Sequence, residues 1–349
     1  MKEKTILYTN VDQQIQNLKS QHLIIENEEL ARSNLSLFGY SNLIKSYREP
    51  YTIISEGKKS FRSGVSFEQI CSLYILDKNL RNAVMAAMLD FEEHIKEAAA
   101  DVVALSFGVH QDEYLKYRNY QNKRKRQYRF TLPGILDKMK ETLNTDKNPI
   151  HHYKTEHGVV PPWILFKSVY FSTIVNFIDL FKVNEQKAMI AHLYDANQID
   201  MPEDKLPILM MDTLFSCHHY RNRAAHGGRI YNYICDMDFR SSEYIKYSVR
   251  GFSQLLILLS FLKYKRPYEY LSNSLQREIN RHCSDFPSDV TYLGQTLNIN
   301  IEMAQFVYIS SKSKKFHCDK HCSGIRGART IELSEAQKNG YEPCKRCCR

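Results

Sequence analysis

Residues 67–96 read FEQICSLYILDKNLRNAVMAAMLDFEEHIK, and the spacing of their apolar side chains sets the fold class. Ile70, Leu73, Tyr74, Leu80, Val84, Met88, Phe91 and Ile95 recur at steps that keep them on one side of a helix, and the pattern runs on through Ala98 and Val102. Residues 66–106 therefore predict one long helix that stops at Gly108. Working outward, Ile15, Leu18, Leu23, Ile24, Leu30, Leu35, Leu37, Phe38, Leu43 and Ile44 predict short helices between Asn10 and about Tyr47. Downstream, Pro161 and Pro162 precede the apolar run WILFKSVYFSTIVNFIDLF, the usual punctuation of a helix start. Trp163 sits at that start and reads as a core anchor. Residues 204–226 predict another helix, and 249–264 a final one. Two-residue alternation shows mainly near Asn298–Ile309, so the body is expected to be all-α with little sheet.

The chain has 349 residues, 43% of them hydrophobic, enough to bury a large core in about two domains. A net charge of +9 favours a polyanionic partner such as RNA, DNA or an anionic surface. The opening MKEKTILYTNVDQQ lacks the apolar run of a signal peptide, and Leu255–Leu262 is far shorter than the roughly 20 residues that span a bilayer. The expectation is a cytoplasmic protein with no membrane partner. Between Lys116 and Phe130, KYRNYQNKRKRQYRF carries seven basic residues, interleaved with Tyr117, Tyr120 and Tyr128 and free of acids. Lys123, Arg124, Lys125 and Arg126 are its candidate RNA contacts. The plainer reading is a solvated helix face or loop.

Chemistry concentrates in residues 220–232, YRNRAAHGGRIYN. On a helix, Asn222 and His226 share one face, Arg221 stands beside them, and Gly227–Gly228 ends the helix. Breaking a ribose-phosphate linkage without a metal needs a proton-transfer group and positive charge for the phosphorane oxygens. Histidine supplies the first near neutral pH, and arginine the second through a fork that holds two phosphate oxygens. Arg221 and His226 are thus the candidate chemical pair, with Asn222 in support and Arg223 and Arg229 as further phosphate contacts. The alternative is a helix-end histidine bound to a carbonyl, with the arginines as surface charge.

Arg221, Asn222, Ala225, His226, Arg229, Tyr231 and Asn232 match the pattern RN-x-x-AH-x-x-R-x-(Y/W)-N, which resembles the signature of abortive-infection (Abi) proteins of the HEPN ribonuclease superfamily. The likeness extends upstream. DQQIQNLKSQHLIIENEELARSNLSLFGYSNLIKSY resembles the family's opening with its Gly39–Tyr40 turn, and Asp77, Leu80 and Arg81 resemble its D-x-x-L-R helix, with Glu92 and Lys96 near its acidic and basic positions. Pro161 and Trp163 resemble its Pro-x-Trp helix, although Lys167 stands where relatives often carry glutamate. The resemblance spans roughly residues 10–265. It implies a HEPN-type helical bundle, metal-independent RNA cleavage, a homodimer with a composite site, and antiphage defence. Some relatives are controlled by a regulatory noncoding RNA or an antitoxin. Two rivals remain: a non-catalytic RNA-binding protein using the same basic pocket, and a HEPN protein that accepts nucleotides from a partner enzyme.

The tail carries five of the nine cysteines, Cys318, Cys322, Cys344, Cys347 and Cys348, beside His317 and His321, a clustering that favours metal over disulfides. Cys344 and Cys347 form a C-x-x-C pair after Pro343, and His317 with Cys322 supplies a second pair, with Cys318 or His321 as substitutes for His317. Four such donors fit a structural Zn²⁺. The opposing reading is a reduced, metal-free tail. Thr330–Leu333 suits a short strand, Ser334 can cap a helix from Glu335, and Asn339–Gly340 ends it. This resembles a small H-x-x-x-x-C…GYxPCxxC module at the ends of many bacterial nucleases. The expected division is a helical domain at 1–285, a connector at 286–312 and an α+β zinc module at 313–349.

Overall fold

The computed structural model of the chain describes residues 8–55, 57–245, 250–301, 306–311, 313–317, 322 and 325–347. These form two compact units. One runs through Glu278 and takes in Tyr292–Ile299, and the other holds Ile279–Thr291 and the chain from Asn300 onward. Among the described residues no helix is long and apolar enough to cross a membrane.

The first unit is helical, as its periodicity predicts. α1 (Val11–Ser20) starts at Asn10, whose side chain and that of Gln13 each accept the other's backbone N–H, and α2 (Glu28–Phe38) starts at Asn27, which accepts from Leu30. An antiparallel hairpin follows, β1 (Thr52–Ser55) with β2 (Lys58–Phe61), in the register Thr52↔Phe61. The sequence gives no hint of it, since each strand has four residues and β1 leaves Ile53 and Ile54 exposed rather than alternating.

α3 (Phe67–Phe107) is the axis of the unit. Ser66 caps it by accepting from the Gln69 N–H at 3.1 Å, and it stops at Gly108 as expected. Ile70, Leu73, Leu80, Val84, Met88, Phe91 and Ile95 are fully buried, each contributing about 1.5–3 kcal/mol through loss of water contact. Next come α4 (Gln111–Tyr114), α5 (Leu132–Leu143), α6 (Ile150–His157), α7 (Pro162–Ser168), α8 (Phe171–Ile178), α9 (Val183–Leu193) and α10 (Leu206–Ala225). α7, α9 and α10 pack against α3. Trp163 differs from its expected role as a core anchor. Its neighbours Pro162, Ile164, Leu165 and Phe166 are buried while the indole is only half-buried and lines a surface groove with Leu89 and Lys167.

α11 (Phe252–Ser260) is not the last helix. α12 (Arg266–Asp285) and α13 (Val290–Leu297) follow it. The apolar residues that α12 buries form the narrow row Leu271, Leu275, Ile279 and Cys283, and the rest of its buried face is polar, Ser274, Glu278 and His282, so no wide apolar stripe stands out in the sequence.

One polar group ties three segments of this unit together. Asp77, on α3, is fully buried. Its Oδ1 accepts the N–H groups of Ile230 and Tyr231 at 2.7 and 2.8 Å, and its Oδ2 accepts the Tyr47 hydroxyl at 2.6 Å. Arg81, one turn on, donates to the Gly227 carbonyl at 2.7 Å.

The second unit holds a four-stranded sheet, β3 (Phe306–Ser310), β4 (Ser313–His317), β5 (Arg329–Glu332) and β6 (Glu342–Pro343), in the order β5-β3-β4-β6. β3 is antiparallel to both neighbours and β4 is parallel to β6. β3 falls within the stretch read as a connector. α14 (Leu333–Lys338) begins two residues before the expected Glu335, with Glu332 at its cap position. Val307, Ile309, Phe316, Ile331 and Ala336 form the core, with Leu333 and Tyr341 packed on it.

Replacing Asp77 by alanine strands three buried donors, so an Asp77→Ala variant is expected to lose about 3–5 kcal/mol of stability, read as a lower urea midpoint. A stability loss below about 1 kcal/mol would show that Asp77 is not the tie described.

Candidate functional site

The residues singled out by spacing meet at the C-terminal end of α10. Gly227 takes φ +69°, a conformation in which side chains are strained, and its N–H donates to Ala224 at 3.1 Å, while the Gly228 N–H reaches Arg223 at 2.9 Å. A Cβ on Gly228 would collide with the Arg223 guanidinium. The helix therefore ends where expected, and His226 is its capping residue, with its own N–H bonded to the Asn222 carbonyl at 3.1 Å. The His226 side chain is exposed, and among the described residues its ring has no hydrogen bond or ion pair.

Arg221 and Asn222 lie one turn back and are half-buried. They line a cavity of about 280 Å³ together with Arg129, Phe130, Tyr170, Phe171, Ser172 and His218, and His226 is not among its lining residues. Nε of Arg221 lies 3.9 Å from Oε2 of Glu92, whose other oxygen pairs with Lys96 at 2.8 Å. Both the Arg221 Nε and the Glu92 Oε2 are buried without a hydrogen-bond partner. Glu92 thus faces the guanidinium of Arg221 at a distance that leaves its other donors available to an anion.

His218 belongs to this group, and sequence reasoning missed it. It precedes Asn222 by one helical turn, on the face shared with His226, and that spacing was the available signal. The Asn222 Nδ2 lies 2.9 Å from His218 Nε2. Burial, helped by the neighbouring His219 and Arg221, pushes the His218 imidazole down to about 4, so it is neutral at physiological pH and its Nε2 accepts from the Asn222 amide.

The remaining cations divide between structural and free. Arg229 donates to the Ser46 carbonyl at 2.6 Å, and Arg223 donates to the Arg229 carbonyl at 3.2 Å while stacking over Tyr233. Lys123 and Lys125 both close onto Asp179, the former at 3.1 Å. Burial raises the Asp179 carboxyl, but the hydrogen bonds and charges of the two lysines outweigh it and hold the group below the usual range. Arg124 and Arg126, in alternate positions, are exposed. Of the tyrosines in this run, Tyr120 is buried and Tyr128 donates to Asp137 at 2.6 Å.

In the second unit, one ligand atom each from His317, Cys322, Cys344 and Cys347 lies within 4.8 Å of the others, a cluster that could hold a metal ion. The Cys347 Sγ to His317 Nδ1 distance is 3.6 Å, the edge of a tetrahedron with metal–sulfur and metal–nitrogen bonds of about 2.3 and 2.0 Å. Backbone N–H groups of Arg346 and Cys347 donate toward Cys344 and lower its pKa against the opposing effect of burial. The substitutes Cys318 and His321 lie outside the described residues, as does the side chain of Ser334.

A protein-family profile described as Abi-like protein matches residues 33–232, more than half of the chain. The chain belongs to the Abi-like family. No curated protein and no solved structure matches it. Abi-like membership suggests a role in abortive infection. The matched span contains Asp77, Arg81, Glu92 and the whole motif through Asn232, so the buried tie and the helix end it fixes fall inside the Abi-like region, while the Cys/His cluster lies beyond it.

Two outcomes follow from this geometry. An imidazole whose pKa falls on folding binds fewer protons folded than unfolded, so His218 makes stability rise with pH between about 4 and 6.5 and fall as pH drops through that window. Denaturant titrations from pH 7 to 4 are expected to show a smaller loss for His218→Gln, which keeps an acceptor for Asn222, than for the wild-type chain. Elemental analysis of the purified chain is expected to find one metal ion per chain, and essentially none in a Cys344→Ser/Cys347→Ser variant.

Proposed function

We propose that this Abi-like protein is an endoribonuclease of the abortive-infection type that cleaves RNA without a catalytic metal. The observation that supports the reading is the arrangement at the end of α10. A half-buried guanidinium lines a cavity, and an exposed imidazole without a partner among the described residues stands one turn further on, with the turn that follows it clamped to α3 by Arg81 and Asp77. In this reading His226 moves a proton at the 2′-OH or the leaving 5′-oxygen, and Arg221 neutralises the charge on the phosphorane. Asn222, held to His218, positions a phosphate oxygen. The 2′-oxygen forms a bond to phosphorus as the bond to the 5′-oxygen breaks, and the 2′-OH proton ends on that oxygen. The products are a cyclic phosphate and a 5′-hydroxyl end.

A single copy offers one such motif, and in this reading a homodimer brings two together, as the resemblance to HEPN ribonucleases implies. The protein acts in the cytoplasm, where host and phage RNA are present. Zn²⁺ suits the donor set of the second unit. All four positions are filled by protein, so the ion stabilises a small fold with little core of its own and takes no part in cleavage.

The test is expression of the intact chain and of His226→Ala and Arg221→Lys, with total RNA sequenced for new 5′-hydroxyl ends. The wild type is expected to arrest growth and produce such ends. His226→Ala should reduce cleavage roughly 10²–10⁴-fold, and Arg221→Lys about 10²–10³-fold, with RNA binding largely kept. Equal growth and identical RNA for wild type and His226→Ala would overturn the reading, and RNA binding without any cut by the wild type would leave the binding-protein alternative.

A further inference from the structure

The cavity at Arg221 and Asn222 continues outward. Arg129, Phe130, Tyr170 and Ser172 line it and also line a second cavity of about 480 Å³, so the two share a wall. Their chemistry differs. The inner cavity presents the guanidinium of Arg221 and the amide of Asn222, groups that suit a phosphate. The outer one adds the carboxylates of Asp137 and Glu141 beside Lys138, which pairs with Glu141 at 2.9 Å. Carboxylates repel a phosphate, yet they accept well from the exocyclic amino group of a nucleobase.

The shared wall is aromatic. Tyr170, the capping residue of α8, leaves 72% of its surface exposed and lines both cavities. Phe130 carries the Arg129 guanidinium at 4.7 Å from its ring centroid, a flat cationic layer. Bases stack on such surfaces, and an isolated anion has no use for them. The aromatic contacts expected from the run 117–128 are not supplied by Tyr120, which is buried. Tyr128 of that run is exposed and lines the outer cavity with its hydroxyl on Asp137, and Tyr170, far from the run in sequence, adds the exposed ring that lines both cavities.

We propose that the shared wall and the outer cavity form a subsite for the nucleobase beside the scissile phosphate, with Tyr170 as stacking platform and Asp137 and Glu141 selecting a base that bears an exocyclic amino group. Its position beside a scissile bond rests on the ribonuclease reading, whereas its ligand chemistry is testable without cleavage.

The intact chain is titrated with cytidine monophosphate, uridine monophosphate and inorganic phosphate. The two nucleotides differ at the 4-position of the base, amino against oxo. Cytidine monophosphate is expected to bind about tenfold more tightly than uridine monophosphate, and both more tightly than phosphate. Tyr170→Ala, whose ring is largely exposed and whose fold is checked by circular dichroism, should bring both nucleotides down to the level of phosphate. An Asp137→Asn/Glu141→Gln variant should erase the preference for cytidine. Similar affinities for the three ligands in the wild type would overturn the subsite, as would nucleotide binding that survives Tyr170→Ala intact. If the pattern holds but no RNA is cut, the subsite stands and the ribonuclease reading fails. If RNA is cut but the pattern is missing, the reverse follows.

Discussion

A carboxylate sealed inside a helical core has to be satisfied by donors from the protein, and Asp77 meets that demand with groups from two segments more than a hundred residues apart in sequence. The requirement works in both directions. The carboxylate needs Tyr47 and the N–H groups of Ile230 and Tyr231, and those N–H groups, at the start of a loop with no helix or strand of its own, need the carboxylate. α3 thereby dictates where the chain goes after α10 ends. Arg81 adds a second hold on the same turn through the Gly227 carbonyl, so the helix terminus that carries the motif is fixed by two residues of a different helix.

Along the face of α10, residues 218, 222 and 226 follow at one-turn intervals, and the two imidazoles at its ends are treated in opposite ways. His218 is tucked against Phe171 and stays neutral, which lets it serve Asn222 as a fixed acceptor. His226 stands past the last turn in solvent. The same residue type thus supplies a structural acceptor at one position and an exposed ring at the other.

Much of this was legible beforehand, for identifiable reasons. The long apolar period of α3 and the Gly227–Gly228 pair are local signals whose physics does not depend on the rest of the chain. The C-x-x-C pair and the spacing of His317 and Cys322 likewise announced the cluster of the second unit. What stayed hidden depends on contacts distant in sequence. Nothing local in Glu92 says that it faces Arg221, nor in Asp179 that it holds two lysines of the basic run. Trp163 misled because its identity suggests burial, while its position at the margin of α7 leaves the indole half in water. α12 was missed because a helix whose buried face is partly polar, with Ser274, Glu278 and His282 inside, looks hydrophilic on average.

The alternation in the basic run has a consequence for how the protein would meet a polyanion. Attraction between such a segment and a nucleic acid draws its strength from small ions set free when cations settle on phosphates. Lys123 and Lys125 share the single negative charge of Asp179, so the pair together has about one cation's worth of solvent ions left to release. A stretch spelled as four consecutive cations would therefore count toward a nucleic acid as about three, Arg124, Arg126 and the one charge left on the lysine pair, and would impart a correspondingly weaker ionic-strength dependence.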